Sequence, residues 1–293
     1  MSLLLQVVVS GVVAGFTYGL VGLSASILYK TTGIFSFAQP MIATLLAFLA
    51  YFLIGEYKLS YWVAFPLLLV IAAAVGVAVY YIGFRIGDGH GQFNLVVRTL
   101  GLFLLIEQFI AWRWSRGEPF AFPPLIEGPS VSLGAGIQVA RQTIAVGAVT
   151  VVLLVVCYLL LTRTRTGLML RCLAESAENS AVLGMPRRRL AAIAWAASTV
   201  ICLFVAVFNA PITNVYTAMF TPFVLFAFAG LLIGGLYSWS GALIGGVVVG
   251  IAVNVSAAYW KPEIGAVIVF VLLLGVLIFR PAGIVGRTFA ERL

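Results

Sequence analysis

Side chains able to do chemistry are scarce in this sequence, and the few present exclude most enzymes. His90 is the only histidine, so a histidine-based metal site or proton relay has almost nothing to work with. Cys157, Cys172 and Cys202 are odd in number and two of them fall inside apolar runs, which suggests neither a disulfide framework nor a metal cluster. A phosphate-binding P-loop needs a Gly-Lys step before Ser or Thr, and Lys30, Lys58 and Lys261 each follow an aromatic residue instead. ATP hydrolysis by that route is therefore excluded, and no pair of nucleophile and base can be named. The only acid well inside an apolar run is Glu107. A charge at mid-membrane costs about 2.5–3.5 kcal/mol on insertion scales, so such residues usually face a cavity or a partner. Yet Trp112 follows close behind, about 7.5 Å along a helix axis. Glu107 is thus either a pathway residue or a solvated group near the interface.

Two short stretches break the apolar pattern with glycine or proline beside small hydroxyls. Residues 33–40 read G-I-F-S-F-A-Q-P and residues 234–241 read G-G-L-Y-S-W-S-G, each followed by an apolar run. Transporters use interrupted helices of this kind to aim helix N-termini at a solute, because unpaired N–H groups and the dipole favour anionic groups there. On that reading Ser36, Gln39 and Ser238 supply hydrogen bonds, and Phe35, Phe37 and Trp239 shape an apolar wall. On the other reading both stretches are plain turns between helices. A third polar stretch, residues 163–189, carries Arg163, Arg165, Arg171 and the Arg187-Arg188-Arg189 triplet around Glu175 and Glu178. A short helix fits its middle, Gly184 suits a helix stop, and Pro186 suits the start of the next helix. It is either a cytosolic loop of positive-inside type or a docking helix through which a soluble partner moves the membrane part.

The elements that must position these residues are membrane helices. The sequence is 63% hydrophobic and 9% charged, where soluble domains carry about 25% charged residues. An all-α integral membrane protein is expected, a multi-span helical bundle forming a single domain over residues 1–293. Candidate crossings are 3–28, 35–54, 62–84, 95–112, 143–161, 190–210, 223–236, 242–259 and 265–279, with the short seventh either crossing or re-entrant. That gives 8 to 9 crossings, with broken helices in two related halves as one arrangement. The first run is read as a span and not a signal peptide, because no Lys or Arg precedes Lys30. Gly11, Gly15 and Gly19 fall on one face of it, where another backbone can come close. Placing 163–189 inside leaves only Lys58, Arg113, Arg116, Arg141 and Lys261 outside among the 17 basic residues. The N-terminus is then outside and the C-terminus cytoplasmic. The net charge of +8 accordingly reports orientation and is not a nucleic-acid footprint. The proline-rich outer loop at 113–142 is either a surface for an extracytoplasmic partner or a connector.

Four stretches together resemble the permease subunits of branched-chain amino-acid (LIV-type) ABC importers. They are G-I-F-S-F-A-Q at 33–39, T-R-T-G-L-M-L-R-C-L-A-E-S-A-E-N-S-A-V-L-G at 164–184, the glycine-rich run at 227–250, and 266–286 ending F-R-P-A-G-I-V-G. The resemblance implies a multi-pass protein of the bacterial plasma (inner) membrane that works with a second permease subunit, two cytosolic ATPase subunits and an extracytoplasmic substrate-binding protein. It implies that this chain binds no cofactor, ATP and Mg being held by the ATPases. It also implies that the segment holding Arg171, Glu175, Glu178 and Gly184 seats in a groove of the ATPase. At the first break the family usually reads N-F-A-H-G-E, where this sequence has Ser36, Gln39, Pro40 and Met41 in place of the Asn, His, Gly and Glu. An acid and an imidazole are gone, which leaves amino acids, amides such as urea and small carboxylates open as solutes. An uncoupled channel or secondary transporter is the alternative, and its carboxylate would have to be Glu107.

Overall fold

The computed structural model describes residues 2–33, 35–85, 92–114, 119–124, 126, 128, 131–132, 138–175, 180, 182–236 and 238–285. Among these the chain forms ten α-helices and one two-stranded hairpin. The helices are α1 (Ser2–Thr32), α2 (Gln39–Ala50), α3 (Tyr61–Val79), α4 (Gln92–Arg113), α5 (Arg141–Arg163), α6 (Arg165–Glu175), α7 (Arg187–Thr213), α8 (Thr221–Gly234), α9 (Trp239–Tyr259) and α10 (Pro262–Phe279). Strands β1 (Val131–Ser132) and β2 (Gln138–Val139) pair antiparallel in the loop before α5. α2 and α3 each end in a π-helical turn, Tyr51–Glu56 and Tyr80–Phe84.

Eight helices are long and apolar enough to cross a membrane. α2 qualifies together with its π-helical turn. The two exceptions are the amphipathic α6, with 11 residues, and the apolar α8, with 14, the longer of which rises about 21 Å against a hydrocarbon core of about 30 Å. Large apolar side chains such as Trp62, Phe93, Val267 and Ile278 stand exposed, the surface of a protein whose solvent is lipid. Enclosure varies widely: 72% of the apolar window of α7 is buried but only 11% of that of α10. α7 is therefore a core element, and α10 turns most of its surface outward.

Contacts cluster into two compact units. One comprises Met1–Ser26, Ile126–Val151 and Pro222–Leu293, and close backbone packing holds it together. A Cβ on Gly15 would lie 2.5 Å from Val247 Cα, and one on Gly11 would lie 2.9 Å from Ile251 Cα. The glycine face expected from the sequence is thus the seam between α1 and α9. α9 also meets α8 closely, since a Cβ on Gly230 would lie 2.9 Å from Gly246 Cα. After α10 the F-R-P-A-G segment turns at Gly283, whose φ is +82°. Ile284 N–H then donates to Ile233 O at 2.8 Å and Val285 N–H to Gly234 O at 3.1 Å. These are among the last carbonyls of α8, which a helix end leaves without internal partners. Ser26 Oγ donates to Leu236 O at 3.2 Å.

The other unit comprises Ile27–Leu125 and Val152–Thr221 and is built on α7. α3 crosses it at Gly76, where a Cβ would lie 2.7 Å from Trp195 O, and Phe84 stacks on Trp195 with ring centroids 4.7 Å apart. α2 lies along α7 and runs the same way. Gln39 at its start meets Ser198, and Phe48 near its end stacks on Trp114 and packs against Phe120, which pairs with Val215 just beyond α7. Tyr61 O–H donates to Pro123 O at 2.6 Å, tying the loop after α4 to the start of α3. The second crossing begins at Gln39, not at 35. Gly33, with φ +70°, ends α1, and Pro40 presets the first turn of α2, so the residues between stay out of helix.

Candidate functional site

The charged segment forms a built corner. α5 ends at Arg163 and α6 begins at Arg165, so only Thr164 separates them. Thr164 Oγ1 accepts from Gly167 N–H at 3.0 Å, the bond of an N-cap. Gly167 presses on the last turn of α5, where a Cβ would lie 2.6 Å from Leu161 Cα. The T-R-T-G sequence is thus a cap followed by the one residue small enough for the bend. α6 buries Gly167, Leu170 and Leu173 and exposes Arg165, Thr166, Leu168 and Glu175. Arg171 Nη2 donates to Thr162 O at 3.3 Å, which ties α6 back to α5. The Glu175 carboxylate attracts the Lys30 ammonium at the end of α1. Gly184 has φ +67°, the stop expected of it, and Pro186 caps α7. Glu178 lies outside the described residues.

The first break leads into the interior. Phe35 and Phe37 form an edge-to-face pair with centroids 5.0 Å apart, Phe35 half-buried and Phe37 exposed. Ser36 and Gln39 are each only 4% exposed. Gln39 Nε2 donates to Ser198 Oγ on α7, a residue 2% exposed. Ser36 Oγ is buried and has no partner among the described residues. Ala38, the N-cap of α2, makes no side-chain cap bond. The stretch therefore places polar groups beside an uncapped helix start, at a depth the plain-turn reading does not require.

Ser198 was not singled out from the sequence because it lies in the middle of an apolar run. Its signal is the Ser198-Thr199 pair of hydroxyls there. Thr199 Oγ1 donates to Trp195 O, the ordinary fate of a helical threonine, whereas Ser198 is engaged by another helix. The second break resolves differently. Ser238 Oγ accepts from Gly241 N–H at 3.0 Å and lies 3.1 Å from Ser240 Oγ, so Ser238 is the N-cap of α9. Trp239, half-buried, opens that helix. Glu107 is half-buried on α4 beside the buried Ile106 and has no hydrogen bond or ion pair among the described residues. The two breaks fall in different units, and Glu107 is not joined to Ser36 or Gln39 by any bond.

Comparison with known proteins gives the family. Residues 7–277 match the family described as branched-chain amino acid transport system, permease component. The high-affinity branched-chain amino acid transport system permease protein BraD of Pseudomonas aeruginosa is 25% identical across 98% of this chain and 97% of its own. LivH of Escherichia coli K12, with the same description, is 24% identical across the same shares. A probable branched-chain amino acid transport permease protein LivH of Methanocaldococcus jannaschii is 23% identical across 91% of this chain and 88% of its own. The eight membrane-length helices and the motif-built corner at Thr164 and Gly167 accord with that match. The chain belongs to the permease family of branched-chain amino acid ABC transport systems.

Proposed function

We propose that this chain is the translocation subunit of an ATP-driven importer for amino acids or related small polar solutes, of the branched-chain amino-acid type. The observation that carries the reading is the family match over residues 7–277. On this reading the chain pairs with a second permease, two cytosolic ATPases that hold ATP and Mg, and an extracytoplasmic binding protein, and it hydrolyses nothing itself. Residues 163–189 are cytoplasmic, the N-terminus lies outside and the C-terminus inside, as the arginine distribution supports. α6, with Arg171 and Glu175, together with Glu178 and Gly184 beyond it in the chain, is the handle for the ATPase. Its contacts with α5 through Gly167 and Arg171, and the attraction of Glu175 for Lys30 just before the first break, are a short route for a push to reach residues 33–40. Ser36 and Gln39 line the pathway with Phe35 and Phe37. Ser238 serves as a cap, and Glu107 is left with a secondary place.

The test is uptake by proteoliposomes holding the complete complex. Glu175→Pro and Gly184→Trp should abolish ATP-driven uptake while the chain still inserts. Undiminished uptake by both variants overturns the coupling assignment.

A further inference from the structure

Resting on the assignment of residues 33–40 to the pathway, we infer that Trp195 and Ser198 of α7 complete a binding site with Ser36 and Gln39, and that this site holds a carboxylate or carbonyl oxygen of the passing solute. The bond between Gln39 and Ser198 is the fixed point around which these residues are grouped. Gln39, at the start of α2, is bonded to Ser198 of α7. Trp195 lies about one helical turn before Ser198, and Ser36 lies three residues before Gln39 in the non-helical stretch that leads into α2. Trp195 is 1% exposed and Ser36 4%. Ser36 Oγ and Trp195 Nε1 are both fully enclosed and without partners among the described residues. Buried polar atoms of native proteins are nearly always paired, so two such orphans flanking the Gln39–Ser198 bond in sequence call for an external partner.

The chemistry of the partner follows from what is left unpaired. An indole N–H can only donate. Ser198 Oγ already accepts from Gln39, so its proton is free to donate outward. Turning the Gln39 amide round would make Ser198 the donor to Gln39 and leave the Gln39 NH₂ group as the outward donor instead. Either way donors are in surplus, and the uncapped start of α2, a helix of 12 residues, adds backbone N–H groups and the positive end of its dipole. No Asp, Glu, Lys or Arg is buried among the described residues, so an ammonium group would find no counter-charge here. An sp² oxygen satisfies several donors at once. A free carboxylate and an uncharged amide share this chemistry.

The test uses the full complex with fluorotryptophan in place of its tryptophans, in nanodiscs, with Trp195→Phe assigning one resonance while keeping a ring against Phe84. Isovalerate, isovaleramide and isoamyl alcohol are the probes. The Trp195 resonance is expected to move with isovalerate or isovaleramide and to stay put with the alcohol, and the more effective of the carboxylate and the amide identifies the source of the oxygen. Ser36→Ala and Ser198→Ala should each raise the midpoint about tenfold, the loss of one buried hydrogen bond. Those two variants decide the matter on any responding tryptophan resonance should Trp195→Phe fail to assemble. A resonance that ignores all three probes, or follows the alcohol equally, overturns the site. ATP hydrolysis stimulated by the binding protein is read on the same sample: its loss counts against the importer reading, whereas normal stimulation with a silent resonance counts against the site alone.

Discussion

Gly167→Ala places a methyl group where α6 turns off α5. The new Cβ would lie 2.6 Å from Leu161 Cα, 2.7 Å from Leu161 O and closer still to Leu160 O. Carbon contacts are comfortable only beyond about 3.5 Å, so α6 must back away by about 1 Å or rotate off its cap. Overpacking costs about 1–3 kcal/mol, and the upper part of that range applies because backbone atoms cannot swing aside. Breaking the bond from Gly167 N–H to Thr164 Oγ1 adds about 1 kcal/mol. α6 has 11 residues, and only Gly167, Leu170 and Leu173 are buried to resist the shift. The segment should therefore be displaced while the spans remain in place. Insertion in the membrane should be normal, and ATP-driven uptake should fall at least tenfold, the equivalent of about 1.4 kcal/mol. Val152→Ala, at an exposed position of α5 outside the handle, is the control and should transport normally. Wild-type uptake by Gly167→Ala, with unchanged protease accessibility of residues 163–189, would refute the corner as the seat of coupling.

Gly15→Leu should prevent close approach of α1 to α9, because even its Cβ would lie 2.5 Å from Val247 Cα, and the purified protein should melt at a lower temperature or fail to accumulate. Ser238→Ala removes the cap of α9 and should cost about 1 kcal/mol of stability, read by thermal unfolding in detergent, with transport specificity unaltered. A cysteine placed at Arg188 should react with a membrane-impermeant thiol reagent only after cells are opened, and one at Pro124 in intact spheroplasts; the reverse pattern inverts the topology.

What the sequence made legible was what local rules govern. Hydropathy located the eight helices long and apolar enough to cross a membrane, Gly11, Gly15 and Gly19 announced a packing face by their spacing, and Gly184 announced a helix end that its φ of +67° bears out. Pairings across long separations were not legible. Nothing in F-R-P-A-G says that the residues after Gly283 will close the carbonyls of Ile233 and Gly234, because that bond depends on how α8, α9 and α10 pack. Gly167 reads as an ordinary helix-disfavouring residue until Leu160 is seen against it. Composition offered Ser238 as a hydroxyl at a break, and only the fold shows that it accepts from Gly241 N–H as the cap of α9. Ser198 was hidden for the opposite reason, a hydroxyl beside Thr199 inside an apolar run whose partner, Gln39, is 159 residues away.

The measurement that bears most directly on the central claim is solute accumulation in proteoliposomes containing this chain, its partner permease, the two ATPases and the binding protein. Accumulation of labelled leucine or a competing small amide or carboxylate should require ATP on the ATPase side and the binding protein on the other, and should persist when proton and sodium gradients are collapsed. Accumulation that follows a proton or sodium gradient without ATP, and that Glu107→Gln abolishes, would make this chain a secondary transporter and contradict the account.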